Sequence, residues 1–350
     1  MGHPRLVVLS RAGRDTLPPR HRTELEDLAH TTLVRADRAP DHTTAVRLLA
    51  DADLLGSTNL CLPRIDAALL DALPNLRGIV LYATGYDHLD IDLLRSRGVG
   101  LSVLPDYATT AVAEHGLAML LALATRLHLA HDRSRVLASP DASLRGVELT
   151  GRTLGVVGLG RIGTALALRA RALGMTVVGT DPDPAAADAA RTRALGVMDL
   201  EPLLACADAV AVCAGHTFGA PPILDGAELA LMRPGALLVN PSRAALVDTG
   251  AVVDLLRRGA LGAYAVDDTV LDPADGGDLL ARGLVLQTGH SAWWRTETLE
   301  RGARMWADRL VAAVRGAPLD AVTWPTAPAP APVPAAPLVD AKVAACAAHA

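Results

Sequence analysis

The sequence predicts an α/β protein built from two doubly wound parallel-sheet domains. Two observations carry that prediction. Short, near-continuous apolar runs alternate with helical patterns, the rhythm of βαβ units and hence of a parallel sheet. One run then passes through a glycine-patterned turn into an apolar helix, the shape of a phosphate-admitting loop. The 350 residues suffice for two domains of ordinary size, and a composition 51% hydrophobic and 20% charged can bury a large core.

In the first series, LVVL (6–9), ADLLGS (52–57), GIVLYAT (78–84) and LSVL (101–104) read as buried strands. RTELEDLAH, IDAALLDAL and IDLLRSRG between them read as amphipathic helices. A long apolar helix is expected from Thr109 to Arg133. The second series has six candidate strands: TLGVVG (153–158), TVVGT (176–180), AVAVC (209–213), ALLVN (236–240), AYAVD (263–267) and LVLQT (284–288). A last helix, Arg295 to Arg315, is expected to return to the first domain. The expected division is therefore 1–108 with 294–324, then 109–293, then a Pro/Ala-rich tail over 325–350 with no catalytic role.

Several function classes lose support early. A net charge of −5 supplies no basic field for nucleic acid and no polybasic membrane patch. The N-terminus lacks a signal-peptide apolar region, and the run GLAMLLALA from Gly116 is too short to span a bilayer. Cys61, Cys206, Cys213 and Cys346 form no CxxC pair and the histidines no HExxH, so no metal site is expected. Cysteine usage suits a reducing cytoplasm. One lysine, Lys342, among 33 basic residues reads as base bias of a high-GC bacterial genome.

The turn is Gly158-x-Gly160-x-x-Gly163, and here it follows an apolar strand and opens an apolar helix. Gly158 permits the tight turn, Gly160 the approach of a pyrophosphate, and Gly163 close helix–strand packing. Arg161 and Ile162 begin the helix whose free N–H groups face the anion. Asp181 closes the next strand, where an acid accepts hydrogen bonds from ribose hydroxyls and repels a 2′-phosphate. The expected cofactor is NAD.

From about residue 50 to 318 the sequence resembles the D-isomer-specific 2-hydroxyacid dehydrogenases. ATGYDHLDID (83–92) resembles the family's GVGxDNID, and PDYATTAVAEH (105–115) its PGYSTESVAEH, with Asp106 in place of Gly. GLGRIG is the nucleotide loop; LMRPGALLVNPSRAALVD (231–248) resembles LMKPGAxLINxARGGLVD; TGHSAWW (288–294) resembles TPHIAG or a HAAW form.

The resemblance implies a flavodoxin-like substrate domain with an inserted Rossmann NAD domain and an active site between them. It also implies a homodimer through the helix near residues 109–133. The implied reaction interconverts a 2-keto acid and a D-2-hydroxy acid by hydride transfer. Arg243 would orient the small anionic substrate through its guanidinium fork, and His290 would be the acid/base. Thr84 and Gly85 would offer backbone N–H groups to the substrate carboxylate, and Trp293 an apolar wall. Thr217, in a loop where Gly215 and His216 replace the family's Pro and Leu, would lie beside the cofactor with Ser242 and Asp267.

One departure stands out. Setting the family's LDVFExEP against VDDTVLDP without a gap puts its histidine-pairing Glu on Val270. Three readings stay open. Asp268 points the same way if the strand continues, and replaces the Glu. Alternatively His290 works unpaired. Or the fold is retasked, as a lyase- or isomerase-like enzyme with bound NAD or as an NAD-sensing protein.

Overall fold

The computed structural model describes residues 3–319, so the expected tail lies outside the described residues. The chain forms two compact units. Residues up to Ala108, joined by those from Arg295, make the first, and Thr109–Trp294 the second.

The first unit holds β1 (Arg5–Ser10), β2 (His30–Arg35), β3 (Leu54–Thr58), β4 (Gly78–Tyr82) and β5 (Gly100–Ser102). All pairs are parallel, in the order β2-β1-β3-β4-β5. β2 escaped the sequence reading because HTTLVR is an edge strand, polar and never fully buried, without the apolar run that marks its neighbours.

The helix Thr296–Val314 packs back on this sheet. Trp306 is fully buried and its Nε1 donates to the Val80 carbonyl at 3.0 Å. Tyr82 stands edge-on to both Trp306 and Tyr107, with centroids 5.4 and 5.5 Å apart, and its hydroxyl donates to the Leu299 carbonyl at 3.0 Å. Gly302 lets the helix come this close, since a Cβ there would strike the Tyr82 ring and hydroxyl. Burial pushes the Tyr82 phenol up to about 12.

The second unit holds β6 (Thr153–Val157), β7 (Thr176–Thr180), β8 (Gly196–Val197), β9 (Ala209–Val212), β10 (Leu237–Asn240), β11 (Ala263–Val266) and β12 (Val285–Gln287). The order β12-β11-β10-β9-β6-β7-β8 is the doubly wound arrangement, with its switch point between β6 and β9. Its seventh strand, β8, is two residues long and was not expected. Side chains alternate between two cores: Ala209, Ala211, Ala263 and Ala265 line one face, Val210, Val212, Tyr264 and Val266 the other. The alanine face receives the helix Thr109–Thr125 through Ala113, Leu120 and Leu123.

The single long helix expected over 109–133 is instead two, Thr109–Thr125 and Leu127–Ser134. Arg126 between them is left-handed, with φ 58°. Its guanidinium donates to the Arg282 and Gly283 carbonyls at 2.8 and 3.0 Å, so a distant turn holds the break.

Trp306→Ala should lower unfolding stability by about 3–5 kcal/mol, read by denaturant titration, because it empties a fully buried site and removes the Nε1 bond to the Val80 carbonyl. Because the folded chain keeps the Tyr82 proton above the unfolded phenol pKa, stability is undiminished below about 10 and falls as pH climbs towards about 12. Alkaline melting curves of Tyr82→Phe should show a shallower fall across that window.

Candidate active site

The glycine loop has the geometry that its residue types require. Gly158 is left-handed, with φ 95°, and a Cβ there would lie 2.7 Å from the Ala214 nitrogen. A Cβ on Gly163 would collide with the Gly158 carbonyl oxygen. Gly160, the N-cap of the helix Arg161–Ala172, faces open space and is exposed. The loop therefore presents backbone to an incoming anion at a helix N-terminus. Arg161 is exposed there, and Ile162 packs half-buried on the alanine-face core.

Asp181 holds the loop to the end of β7. It accepts from the Leu159 nitrogen at 2.7 Å through Oδ2 and from the Asp183 nitrogen at 2.9 Å through Oδ1. Each carboxylate oxygen keeps acceptor capacity for a ribose hydroxyl. A cavity of 550 Å³ opens beside it, lined by Thr180, Asp181, Pro184, Arg191, Met198 and Asp199. Arg191 is paired with Asp188 at 2.7 Å. Thr217 is exposed in the loop after β9.

Two more loops leave the same carboxyl edge, on either side of β11. At the end of β10, fully buried Asn240 makes the turn that carries Arg243: its Oδ1 accepts from the Ser242 nitrogen at 3.1 Å and its Nδ2 donates to the Arg243 carbonyl at 2.7 Å. The half-buried Arg243 side chain donates to the Ser242 carbonyl at 3.0 Å.

After β12 comes the loop with His290. Its anchor is Asp267, only 4% exposed. Asp267 Oδ1 accepts from the Thr288 hydroxyl at 2.7 Å and the Ser291 nitrogen at 2.8 Å, and Oδ2 from the Ala292 nitrogen at 3.0 Å. His115, on the helix Thr109–Thr125, bonds the Thr288 hydroxyl at 3.0 Å and lies 3.6 Å from Asp267 Oδ1. Gly289 and His290 are consecutive left-handed residues, φ 60° and 59°. That backbone costs a non-glycine residue about 1–2 kcal/mol. Hydrogen bonds to a charged group contribute about 1.5–3 kcal/mol each, enough to hold it. The Trp293 indole donates to the His290 carbonyl at 3.1 Å and stands edge-on to Trp294 at 4.9 Å.

Asp268 lies past the end of its strand. Strand β11 ends at Val266, so the alternation that would aim Asp268 at the histidine is broken. Its carboxylate instead accepts from the Ala244 nitrogen at 3.4 Å and its neighbour Thr269 at 2.9 Å, on the Arg243 side. Val270 is a packing residue: its side chain rests on the core while Gln287 Oε1 accepts from the Val270 and Leu271 nitrogens at 3.1 Å. Asp272 is exposed and caps the helix Pro273–Ala281 by accepting from the Ala274 nitrogen through Oδ1 at 2.8 Å. Burial pushes the Tyr264 phenol beneath this edge up to about 12, a shift opposed by the Asn240 bond and reinforced by the Asp268 charge.

In the other unit, Thr84 donates its hydroxyl to the Leu104 carbonyl at 2.8 Å, and Gly85 is half-buried beside it. A cavity of 780 Å³ also lies in that unit, between the helices Pro19–Leu28 and Thr296–Val314. Polar pairs cross it, His21 with Asp308 at 2.9 Å and Arg315 with Glu24 at 2.7 Å. Among the described residues no His, Cys, Asp or Glu cluster could hold a metal ion, and no helix is long and apolar enough to cross a membrane.

Residues 117–292 match the family described as D-isomer specific 2-hydroxyacid dehydrogenase, NAD binding domain. The chain belongs to this family. Its second unit is the family's NAD binding domain, and the glycine loop and Asp181 described above fit that cofactor. D-3-phosphoglycerate dehydrogenase of Mycobacterium leprae is 33% identical over 293 residues, 81% of this chain and 53% of the relative. The chain thus spans about half the length of the first such relatives. Glyoxylate reductase of Korarchaeum cryptofilum is 31% identical over 306 residues, 86% of this chain and 91% of the relative. Among solved structures, D-lactate dehydrogenase from Aquifex aeolicus complexed with NAD and lactic acid has a TM-score of 0.73 at 25% identity, covering 89% of this chain and 96% of that one. A protein from Thermus thermophilus has the same TM-score of 0.73 at 33% identity, covering 89% of this chain and 98% of its own.

His115, Thr288 and Asn240 were not singled out by sequence reasoning. A histidine inside the apolar AVAEHGLAMLLALA helix was the available signal. Nothing local marked Thr288 or Asn240 apart from their places at strand ends.

Asp267→Asn should destabilise the protein by about 1–3 kcal/mol, since an amide group then faces one of the buried donors. Hydrogen exchange at Ser291 and Ala292 should quicken with it. Asp268→Asn, half-buried with a long bond to Ala244, should cost less than about 1 kcal/mol in the same unfolding titration.

Proposed function

We propose that the protein is an NAD-dependent oxidoreductase that interconverts a small 2-oxo acid and the D-2-hydroxy acid. The observation that carries this reading is the convergence of the Arg243 and His290 loops on one sheet edge, on either side of β11. The relatives named glyoxylate reductase, D-lactate dehydrogenase and D-3-phosphoglycerate dehydrogenase have a 2-oxo or 2-hydroxy acid as common chemistry.

The loop Gly158–Gly163 and Asp181 would hold pyrophosphate and ribose, with Thr217, Ser242 and Asp267 proposed near the rest of the cofactor. NAD, when bound, supplies the two-electron redox chemistry. Arg243 binds and orients the substrate by forked hydrogen bonds to carboxylate and carbonyl oxygens. Thr84 and Gly85 are proposed to meet the carboxylate through backbone N–H groups, and Trp293 to shield the reacting carbon from water. In the reducing direction His290 gives a proton to the carbonyl oxygen as it becomes hydroxyl; in the oxidising direction it removes that proton.

No acid of the β11 edge is committed to His290. Asp267 is taken by the loop backbone and Asp268 by Ala244 and Thr269, while Asp272 has engaged one oxygen as a helix cap. Asp268→Asn, Asp272→Asn and Val270→Glu therefore form one test. A partner acid keeps the proton on His290, so its loss should move the falling limb of the reductive pH profile down by roughly one unit. A Glu that gains the contact should move it up.

With NADH, a panel of 2-oxo acids should include one that is reduced. Arg243→Lys should lower kcat/KM for it roughly 10- to 100-fold, because an ammonium cannot reproduce the fork. NADH binding without oxidation by any 2-oxo acid would favour the sensing protein instead. Asp181→Ala should weaken NADH binding and narrow the preference over NADPH in a fluorescence titration.

A homodimer is proposed through the region after the helix Thr109–Thr125, where Leu127, Val136 and Leu137 are 66%, 90% and 57% exposed. Sedimentation of the double variant Leu127→Glu, Leu137→Glu should then show a monomer.

A further inference from the structure

We propose that His115, acting through the Thr288 hydroxyl on Asp267, is a positioning residue that sets the place and backbone conformation of His290. In saying what His290 is positioned for, the inference rests on the acid/base reading above.

The hydrogen-bond directions around Asp267 follow from its donors. Ser291 and Ala292 N–H groups point at the two carboxylate oxygens at 2.8 and 3.0 Å, so both oxygens act as acceptors. The Thr288 hydroxyl, 2.7 Å from Oδ1, must then spend its one hydrogen on the carboxylate. Its oxygen is left to accept, and the group facing it at 3.0 Å is His115 Nε2. The imidazole therefore carries its hydrogen on Nε2 and donates. At 3.6 Å the His115–Asp267 separation is too long for a direct bond, which makes the threonine hydroxyl the bridge.

This chain of contacts brackets the candidate acid/base. Thr288 precedes Gly289 and His290; Ser291 and Ala292 follow them. The carboxylate thus grips the loop on both sides of its two left-handed residues. His115 sits on a separate element, the helix Thr109–Thr125, which packs against the same sheet through Ala113, Leu120 and Leu123. The rigid helix is the reference against which the loop is held. Without the imidazole the Thr288 oxygen loses its donor, the hydroxyl is free to turn towards the Val266 carbonyl 3.5 Å away, and the grip on Oδ1 slackens. His290 is exposed at the loop's tip, so a slackened loop moves the reacting nitrogen.

The experiment uses the full chain with His115→Leu, His115→Gln and Thr288→Val. Three quantities are read: kcat with the reducible 2-oxo acid, the Kd for NADH, and the NMR shift of the His290 ring protons, assigned by loss in His290→Ala. His115→Leu and Thr288→Val should lower kcat on the order of tenfold, leave the NADH Kd unchanged and move the His290 signal. His115→Gln, whose amide can still donate to Thr288, should restore the signal and most of kcat. A buried histidine that only fills space would act otherwise: His115→Leu would change the melting temperature alone, and that result overturns the proposal. If His115→Leu fails to fold, Thr288→Val, which keeps the volume, decides by the His290 signal; an unmoved signal overturns the proposal. If no 2-oxo acid is turned over by the wild type, the functional reading fails, while the His290 signal still reports on the clasp.

Discussion

A buried carboxylate just past the end of β11 is the constraint around which this sheet edge is arranged. β11 lies between β10 and β12, so whatever projects from its carboxyl end has one loop on each side. Asp267 and Asp268 divide those loops between them. Asp267 turns to the β12 side and collects Thr288, Ser291 and Ala292; Asp268 turns to the β10 side and meets Ala244. Adjacent residues past the end of a strand can diverge in this way because the pleat no longer dictates their direction. One short segment thereby grips the His290 loop and touches the Arg243 loop, whose turn Asn240 makes. It also accounts for the valine among the acids. Val270 returns the chain to the core, and Gln287 binds the backbone there, so the segment is tied at both ends.

The glycine loop works under a different constraint, proximity rather than charge. At Gly158 and Gly163 backbone meets backbone and no side chain fits; at Gly160 the space is open. The loop is therefore closed towards the sheet and open towards solvent. Asp181 adds a tether from the neighbouring strand through Leu159, so the residue expected to recognise ribose also fixes the loop proposed to meet the pyrophosphate. Loss of its carboxylate would remove the loop tether together with the proposed ribose acceptor, so an effect on cofactor preference has to be read with the effect on affinity.

The sequence showed the fold where hydrophobic period and turn chemistry agree. Strands buried on both faces, such as β6 and β9, were plain as apolar runs. β2 and β8 were not, the first because an edge strand needs no apolar run and the second because two residues carry no period. The break at Arg126 had no glycine or proline to announce it; carbonyls far along the chain create it. Within the candidate site the same division holds. The close-packed turn at Gly158 and Gly163 was legible because backbone meets backbone there and excludes a Cβ. The direction of Asp268 was not, because it depends on where β11 stops.

His115 shows why long-range polar contacts stay hidden. Within its helix it looks like a defect in an apolar face, and by composition a core histidine satisfied by chance is the simpler account. Its meaning depends on Thr288 and Asp267, which arrive from two other elements, and none of the three residue types is informative alone. Only the order of donors makes the arrangement directional: a histidine hydrogen into a hydroxyl oxygen, and a hydroxyl hydrogen into a carboxylate already holding two N–H groups. A buried carboxylate with that many donors is stable only if all remain in place. The loop it serves carries His290, exposed at its tip. Burial at Asp267 and exposure at His290 are thus two ends of one structure, with the left-handed backbone at Gly289 and His290, strained only at the histidine, as the link between them.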